Sequence, residues 1–154
     1  MAVNRGKQFE EKFKKDFSSI PDSSVDRLYD VTTGYKNIKQ VCDFIAYFYP
    51  TIFYIECKSH KGASLPLSNI TQYESLKTKV GIRGVRSGVV RWLYEKDKVF
   101  YIPTRTITQL KEDGEKSVGL RHIGKYDIFE IPSVKKRVFM DSDYTYLKNL
   151  NEGD

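Results

Sequence analysis

The pattern of apolar residues predicts an α/β domain of the mixed (α+β) kind, with a central mixed β-sheet flanked by helices. Three observations carry that reading. Phe9, Phe13 and Phe17 recur every fourth residue, the spacing of one helix face. Four short segments rich in β-branched and aromatic residues, 41–48, 51–58, 88–94 and 99–102, have the character of strands. Helical stretches fall before, between and after them in the order α-β-β-β-α-β-β-α, as in a sheet covered on its faces by helices.

Taken in order, Asn4, Arg5 and Gly6 open a helix over residues 6–18, with Lys12, Lys14 and Lys15 elsewhere on its surface. Residues 18–24 are a loop by composition. A strand follows over 25–31, and then a short, basic, exposed connection over 32–40 that carries Lys36 and Lys39. The strands 41–48 and 51–58 lie either side of Tyr49-Pro50, which marks the tip of a hairpin. A loop runs from Lys58 to Pro66, and a second helix over 68–80 sets Ile70, Tyr73, Leu76 and Val80 on one side. Residues 88–94 and 99–102 form a hairpin around 95–98. A third helix over 104–111 is stopped by Asp113-Gly114, and a short strand lies near 126–131. No repeat or linker divides the chain, so residues 1–154 read as a single domain.

Composition narrows the function classes. Hydrophobic residues make up 40% of the chain, enough for a packed core and too many for a disordered one. No apolar run reaches the roughly 18 residues of a membrane span, and the charged start is unlike a signal peptide, so a soluble, cytoplasmic protein is expected. Twenty-six Lys and Arg against 20 Asp and Glu leave a net charge of +6, which suits a polyanion such as nucleic acid. A merely basic soluble protein would show the same balance. Cys42 and Cys57 make no disulfide framework, and His60 and His122 have no zinc-ligand spacing.

The chemistry is concentrated at the end of the second strand, in TIFYIECKSHKG over residues 51–62. Side chains alternate along a strand, so Tyr54, Glu56 and Lys58 share one face while Phe53, Ile55 and Cys57 share the other. A hairpin tip at Tyr49-Pro50 pairs Phe48 with Thr51, and the same register sets Asp43 opposite Glu56 and Cys42 opposite Cys57. Directly opposed residues have Cβ atoms about 4.5–5.5 Å apart, and like charges at that distance destabilise a sheet unless neutralised. A hard divalent cation such as Mg²⁺ would neutralise them, with Lys58 beside it to orient water or balance charge on a phosphate. The plainer alternative is a cross-strand ion pair at the end of a sheet, with Lys58 balancing two surface carboxylates.

These residues resemble a known pattern. Asp43 followed by Glu56-Cys57-Lys58 is similar to the D-(x)n-E-x-K core of the PD-(D/E)-x-K nuclease superfamily. Asn4-Arg5-Gly6 with Glu10 resembles the N-R-G-x-x-x-E signature of RecU-type Holliday-junction resolvases. Leu65-Pro66-Leu67-Ser68-Asn69 resembles that family's proline-containing segment, and Gly114-Glu115-Lys116-Ser117 its late G-x-K-S. The resemblance runs from Asn4 to about Leu120. It implies a restriction-endonuclease-like fold, a homodimer, and paired Mg²⁺-dependent nicks in a four-way DNA junction, with Mn²⁺ expected to substitute. It also implies roles: Asp43, Glu56 and Gln72 at the metal, Lys58 at the transition state, and Glu10 as the helix glutamate of the site. The chain departs from the pattern in three places. Val41 stands where the family often has threonine, Gln72 follows Asn69 one residue early, and the stalk at 32–40 is short, as would suit a compact, phage-encoded version. The compartment implied is the bacterial cytoplasm, or that of an infected host.

Arg5, Lys36, Lys39, Arg83 and Arg86 are the candidate DNA contacts. Arg83 and Arg86 lie among Gly81, Gly84 and Gly88, where backbone can approach a phosphate closely, although a flexible charged loop would look the same. Two other readings share these residues: a non-catalytic DNA-binding accessory of recombination, and a restriction or repair nuclease acting on linear duplex.

Overall fold

The computed structural model describes residues 4–33 and 36–150, and within them the side chains of all but 31–33, 36–38 and 149. The chain opens with α1 (Arg5–Ser18), whose first turn is capped by the Asn4 side chain accepting from the Lys7 N–H at 3.0 Å. Strands β1 (Ser23–Arg27), β2 (Val31–Thr33), β3 (Lys36–Ile38), β4 (Phe44–Phe48), β5 (Thr51–His60) and β6 (Ser64–Pro66) follow. A 3-10 turn (Leu67–Asn69) and α2 (Tyr73–Lys77) lead into β7 (Val85–Leu93), β8 (Lys98–Pro103) and α3 (Thr104–Glu112). The last part holds β9 (Ser117–Gly119), β10 (Phe129–Glu130), β11 (Ser133–Lys135), β12 (Met140–Ser142) and a closing 3-10 helix, Tyr144–Asn149.

Six strands form the main sheet in the order β1-β4-β5-β7-β8-β10. The β5–β7 pair is parallel and the other pairs are antiparallel, which makes the sheet mixed as expected. The parallel step follows from the crossover through α2, because strands that pair in parallel need a long connection. The β4–β5 hairpin has the register read from the sequence, Phe48↔Thr51 through Phe44↔Ile55. It stops there: β4 starts at Phe44 instead of Val41, so neither Asp43–Glu56 nor Cys42–Cys57 is a ladder pair. Both cysteines are buried free thiols.

Two cores cover the two faces of the sheet. On one face α1 lays Phe13 and Phe17 on Phe44, Phe48 and Phe53 and Phe9 on Trp92, with the Phe17 and Phe48 rings stacked 5.5 Å apart. Each such aromatic pair contributes about 0.5–1.5 kcal/mol beyond its buried area. On the other face Ile107 and Leu110 of α3 pack with Leu65, Tyr73, Val89, Ile102 and Val118. Gly88 lets β7 and β8 meet closely, since a Cβ there would lie 2.5 Å from the Ile102 carbonyl oxygen.

Two further expected elements differ, and one was not expected. The strand over 25–31 is split: β1 ends at Arg27, where the Leu28 N–H turns to the Asp43 carbonyl at 2.8 Å, and β2 pairs with β3 in a separate ribbon. That ribbon covers much of the basic connection expected over 32–40. The helix over 68–80 shrinks to the 3-10 turn and the five residues of α2. Ser68, Asn69 and Thr71 are weak helix formers whose side chains compete for backbone bonds, and Ile70 sits outside helical geometry at ψ 80. The C-terminal hairpin β11–β12 and closing 3-10 helix had no counterpart in the sequence pattern. Among the described residues no helix is long and apolar enough to cross a membrane.

Candidate active site

Helix α1, strand β5 and the residues just before β4 and α2 carry the predicted site residues. Asp43 lies just before β4. Its N–H donates to the Ile55 carbonyl at 3.0 Å, and its carboxylate accepts from the Cys57 N–H at 2.8 Å through Oδ2. A side chain thus takes the place of the next backbone partner, fixing the carboxylate at the position where the hairpin pairing ends. Glu56 sits on β5, a strand flanked on both sides, and is only 1% exposed. Lys58, one repeat further on the same strand face, reaches back to Glu56 Oε1 at 3.3 Å. The Thr71 hydroxyl points to the same oxygen at 3.5 Å.

The other Glu56 oxygen, Oε2, is buried with no hydrogen-bond partner, and so is Oε1 of Gln72. Buried acceptors without partners are costly and demand an explanation. An oxygen-ligated cation supplies one: two carboxylates and an amide oxygen are hard donors, and Mg²⁺ characteristically uses one or two carboxylates and completes its shell with water and phosphate. By donor chemistry the set Asp43, Glu56 and Gln72 suits such an ion. Among the described residues no group of three His, Cys, Asp or Glu side chains is placed to hold a metal ion, so the fit rests on two carboxylates and the Gln72 amide.

Glu10 joins from α1 through Arg27, which was not among the sequence candidates. Arg27, at the end of β1, points Nε and Nη2 at Glu10 Oε2, both at 3.1 Å. Its Nη1 donates to the carbonyls of Asp43, at 3.1 Å, and Leu28, and lies 3.9 Å from Asp43 Oδ1. The signal for it was present: Val25 and Arg27 fall on the same, more buried side of β1, and an arginine there needs carboxylates. Burial pushes the Glu56 carboxyl above its ordinary range, opposed by the Lys58 charge, with Asp43 adding to the rise. Burial likewise raises Glu10, opposed by Arg27, with Asp43 again adding to the rise. Glu10 and Glu56 thus both feel Asp43, and Arg27 and Lys58 offset part of the cost of burying them.

The two distant motif segments also meet. Pro66 pairs with Ser117 in the β6–β9 ribbon, and the Leu67 N–H donates to the Lys116 carbonyl at 2.9 Å, holding the turn that leads to Gln72.

The predicted DNA contacts separate. Arg83 is exposed in the loop before β7, and Lys39 is exposed and paired with Asp30 at 3.0 Å. Arg5 lies against Tyr94 and Trp92, 5.1 and 5.9 Å from their ring centres. Lys36 is in β3, and its side chain is outside the described residues. Arg86 donates from its guanidinium to the carbonyls of Leu147 at 2.9 Å and Leu150 at 3.1 Å, and so ties down the C-terminal 3-10 helix. A groove of about 210 Å³ lined by Lys7, Glu10, Lys14, Arg27 and Tyr29 adjoins the carboxylates. The larger depression of about 510 Å³ lies at residues 97–98 and 128–133, where Lys98 is paired with Glu130.

No family profile matches the chain, and no curated protein matches it by sequence. Among solved structures it is similar to Hjc, a Holliday junction resolvase from the archaeal hyperthermophile Archaeoglobus fulgidus. The TM-score is 0.58, with 79% of this chain and 93% of that one covered and 19% of residues identical. At that identity the likeness is one of fold. The chain shares the mixed-sheet fold of that structure, and within it Glu56 lies 3.3 Å from Lys58 and close enough to Asp43 to feel its charge.

Proposed function

We propose that the protein is a divalent-metal-dependent endonuclease that cuts branched DNA, resolving four-way junctions by paired nicks. The observation that carries this reading is the pair of buried, unpartnered acceptors, Glu56 Oε2 and Gln72 Oε1, beside a fixed Asp43 and a lysine one strand repeat away. A neutral core or a simple ion pair gives no reason to bury both.

Asp43, Glu56 and Gln72 would hold Mg²⁺, or Mn²⁺ in its place. The ion supplies a water acidic enough to attack at neutral pH and positive charge for the phosphate. The chain's own residues do the remainder. Cys57 N–H fixes the Asp43 carboxylate. Lys58, held by Glu56, is placed to orient the attacking water and to balance the charge that grows on the phosphate oxygens. Arg27 and Glu10 hold Asp43 from the other side. Lys7, Lys14, Lys39, Arg83 and Arg5 offer the sequence-independent phosphate contacts that position a duplex arm.

The substrate and the type of enzyme come from two supports: the RecU-like motifs at Asn4–Glu10, Leu65–Asn69 and Gly114–Ser117, and the fold shared with a protein that is itself a junction resolvase. Paired cuts on a symmetric junction call for two sites, hence a homodimer working in the cytoplasm of a bacterium or an infected host. The test is cleavage of a labelled four-way junction in Mg²⁺, in Ca²⁺ and in EDTA. Symmetric nicks in Mg²⁺ with tight binding and no cutting in Ca²⁺ are expected. Binding without cutting in every condition would replace the enzyme with an accessory DNA-binding protein.

A further inference from the structure

Glu10, Asp43 and Glu56 influence one another electrostatically, yet among the described residues they do not gather into one cage. Arg27 bridges two of them. Its planar fork spans the space between the helix and the start of β4, with Nε and Nη2 on Glu10 Oε2 and Nη1 on the Asp43 carbonyl, 3.9 Å from Asp43 Oδ1. The fork is also held in place: its central carbon lies 4.9 Å from the Tyr29 ring and 5.4 Å from the Phe44 ring, and Nη1 is bonded to the Leu28 carbonyl.

We propose that Arg27 is a built-in substitute for a second divalent cation, so that each chain takes one ion on the Asp43–Glu56–Gln72 side and none between Glu10 and Asp43. The inference rests on the metal-nuclease reading above and specifies its stoichiometry. Two observations carry it. The unpartnered oxygens, Glu56 Oε2 and Gln72 Oε1, belong to residues that make no hydrogen bond or ion pair with Arg27, while Glu10 Oε2 already accepts a hydrogen bond from Arg27 Nε and lies 3.1 Å from its Nη2. Charge points the same way. Arg27 and Lys58 leave three carboxylates with one unbalanced negative charge, which a single divalent ion reverses. A second ion would crowd positive charge into a half-buried site before any phosphate arrives, where repulsion is weakly screened. A guanidinium is suited to this place because it stays charged and its fork matches carboxylate geometry.

The test counts ions without DNA and without turnover. Full-length protein is titrated with Mn²⁺, free ion being read by electron paramagnetic resonance and stoichiometry checked by calorimetry. One Mn²⁺ per chain is expected for wild type and for Arg27→Lys, and two for Arg27→Met, which keeps the apolar stem and loses the charge. Glu10→Gln added to Arg27→Met should return the count to one. A wild type that binds two ions overturns the proposal, as does a folded Arg27→Met, with the wild-type circular dichroism spectrum, that still binds one. A wild type that binds none sinks the metal-nuclease reading itself, a different failure from the other two. Should Arg27→Met not fold, the wild-type and Arg27→Lys counts still decide.

Discussion

Lys58 Nζ lies 3.3 Å from one oxygen of Glu56 while the other oxygen of that carboxylate has no partner. One strand repeat thus presents a cation and a half-satisfied buried carboxylate side by side. That arrangement suits a nuclease centre better than a structural ion pair, in which both oxygens would be used. Lys58→Met should cut the single-turnover cleavage rate by about 100–1,000-fold, the usual effect of losing one charge-stabilising group. Junction affinity should stay within a few-fold. A loss of binding that matched the loss of rate would make Lys58 a DNA contact instead.

Burial raises the Glu56 carboxyl above its ordinary 4.5, so the folded protein holds that proton more tightly than the unfolded chain. Stability from this group is therefore present below the unfolded value and is lost as pH rises through the folded one. Glu56→Gln should accordingly raise Tm at pH 7 in EDTA, with the gain vanishing as pH falls below 4.5, and should abolish cleavage. Thermal melts across pH 4–8 measure this. A lower Tm at pH 7 would mean that the ionised carboxylate is well supported without metal.

Asp43 combines a structural and a chemical duty, and two substitutions separate them. Asp43→Asn still offers an oxygen to the Cys57 N–H and should melt close to wild type. Asp43→Ala leaves that amide unmatched and should lose about 1 kcal/mol. Neither should cleave, and neither should show the rise in Tm that Mg²⁺ gives the wild type by binding the folded state.

Arg86 is predicted to act on stability and not on DNA. Removing its two carbonyl bonds by Arg86→Ala should cost about 2 kcal/mol, a Tm drop of about 4–8 °C for a domain of this size. Junction affinity at fixed salt should change less than two-fold. Arg83→Ala should do the reverse, weakening binding and flattening its salt dependence by about one phosphate contact.

Much of this was legible in the sequence. The Phe9–Phe13–Phe17 stripe, the alternation along β5 and the turn at Tyr49-Pro50 are local signals, and each fixed its element. Where the chain departs from expectation, long-range contacts decide. The Asp43 side chain takes the Cys57 amide and so ends a ladder that periodicity alone would continue. Arg86 and Lys12 pin a C-terminal segment whose own pattern is weak: Arg86 bonds Leu147 and Leu150, and Lys12 bonds Asp141 at 2.6 Å. Arg27 went unread because its partners lie 17 and 16 residues away on other elements.

The most direct test of the central claim is cleavage of a labelled four-way junction and a matched linear duplex in Mg²⁺ by wild type and Asp43→Asn. Symmetric junction nicks by wild type, absent in the variant although it still binds, are the predicted result. Equal cutting of the linear duplex would contradict junction resolution, and cutting by the variant equal to wild type would contradict the site.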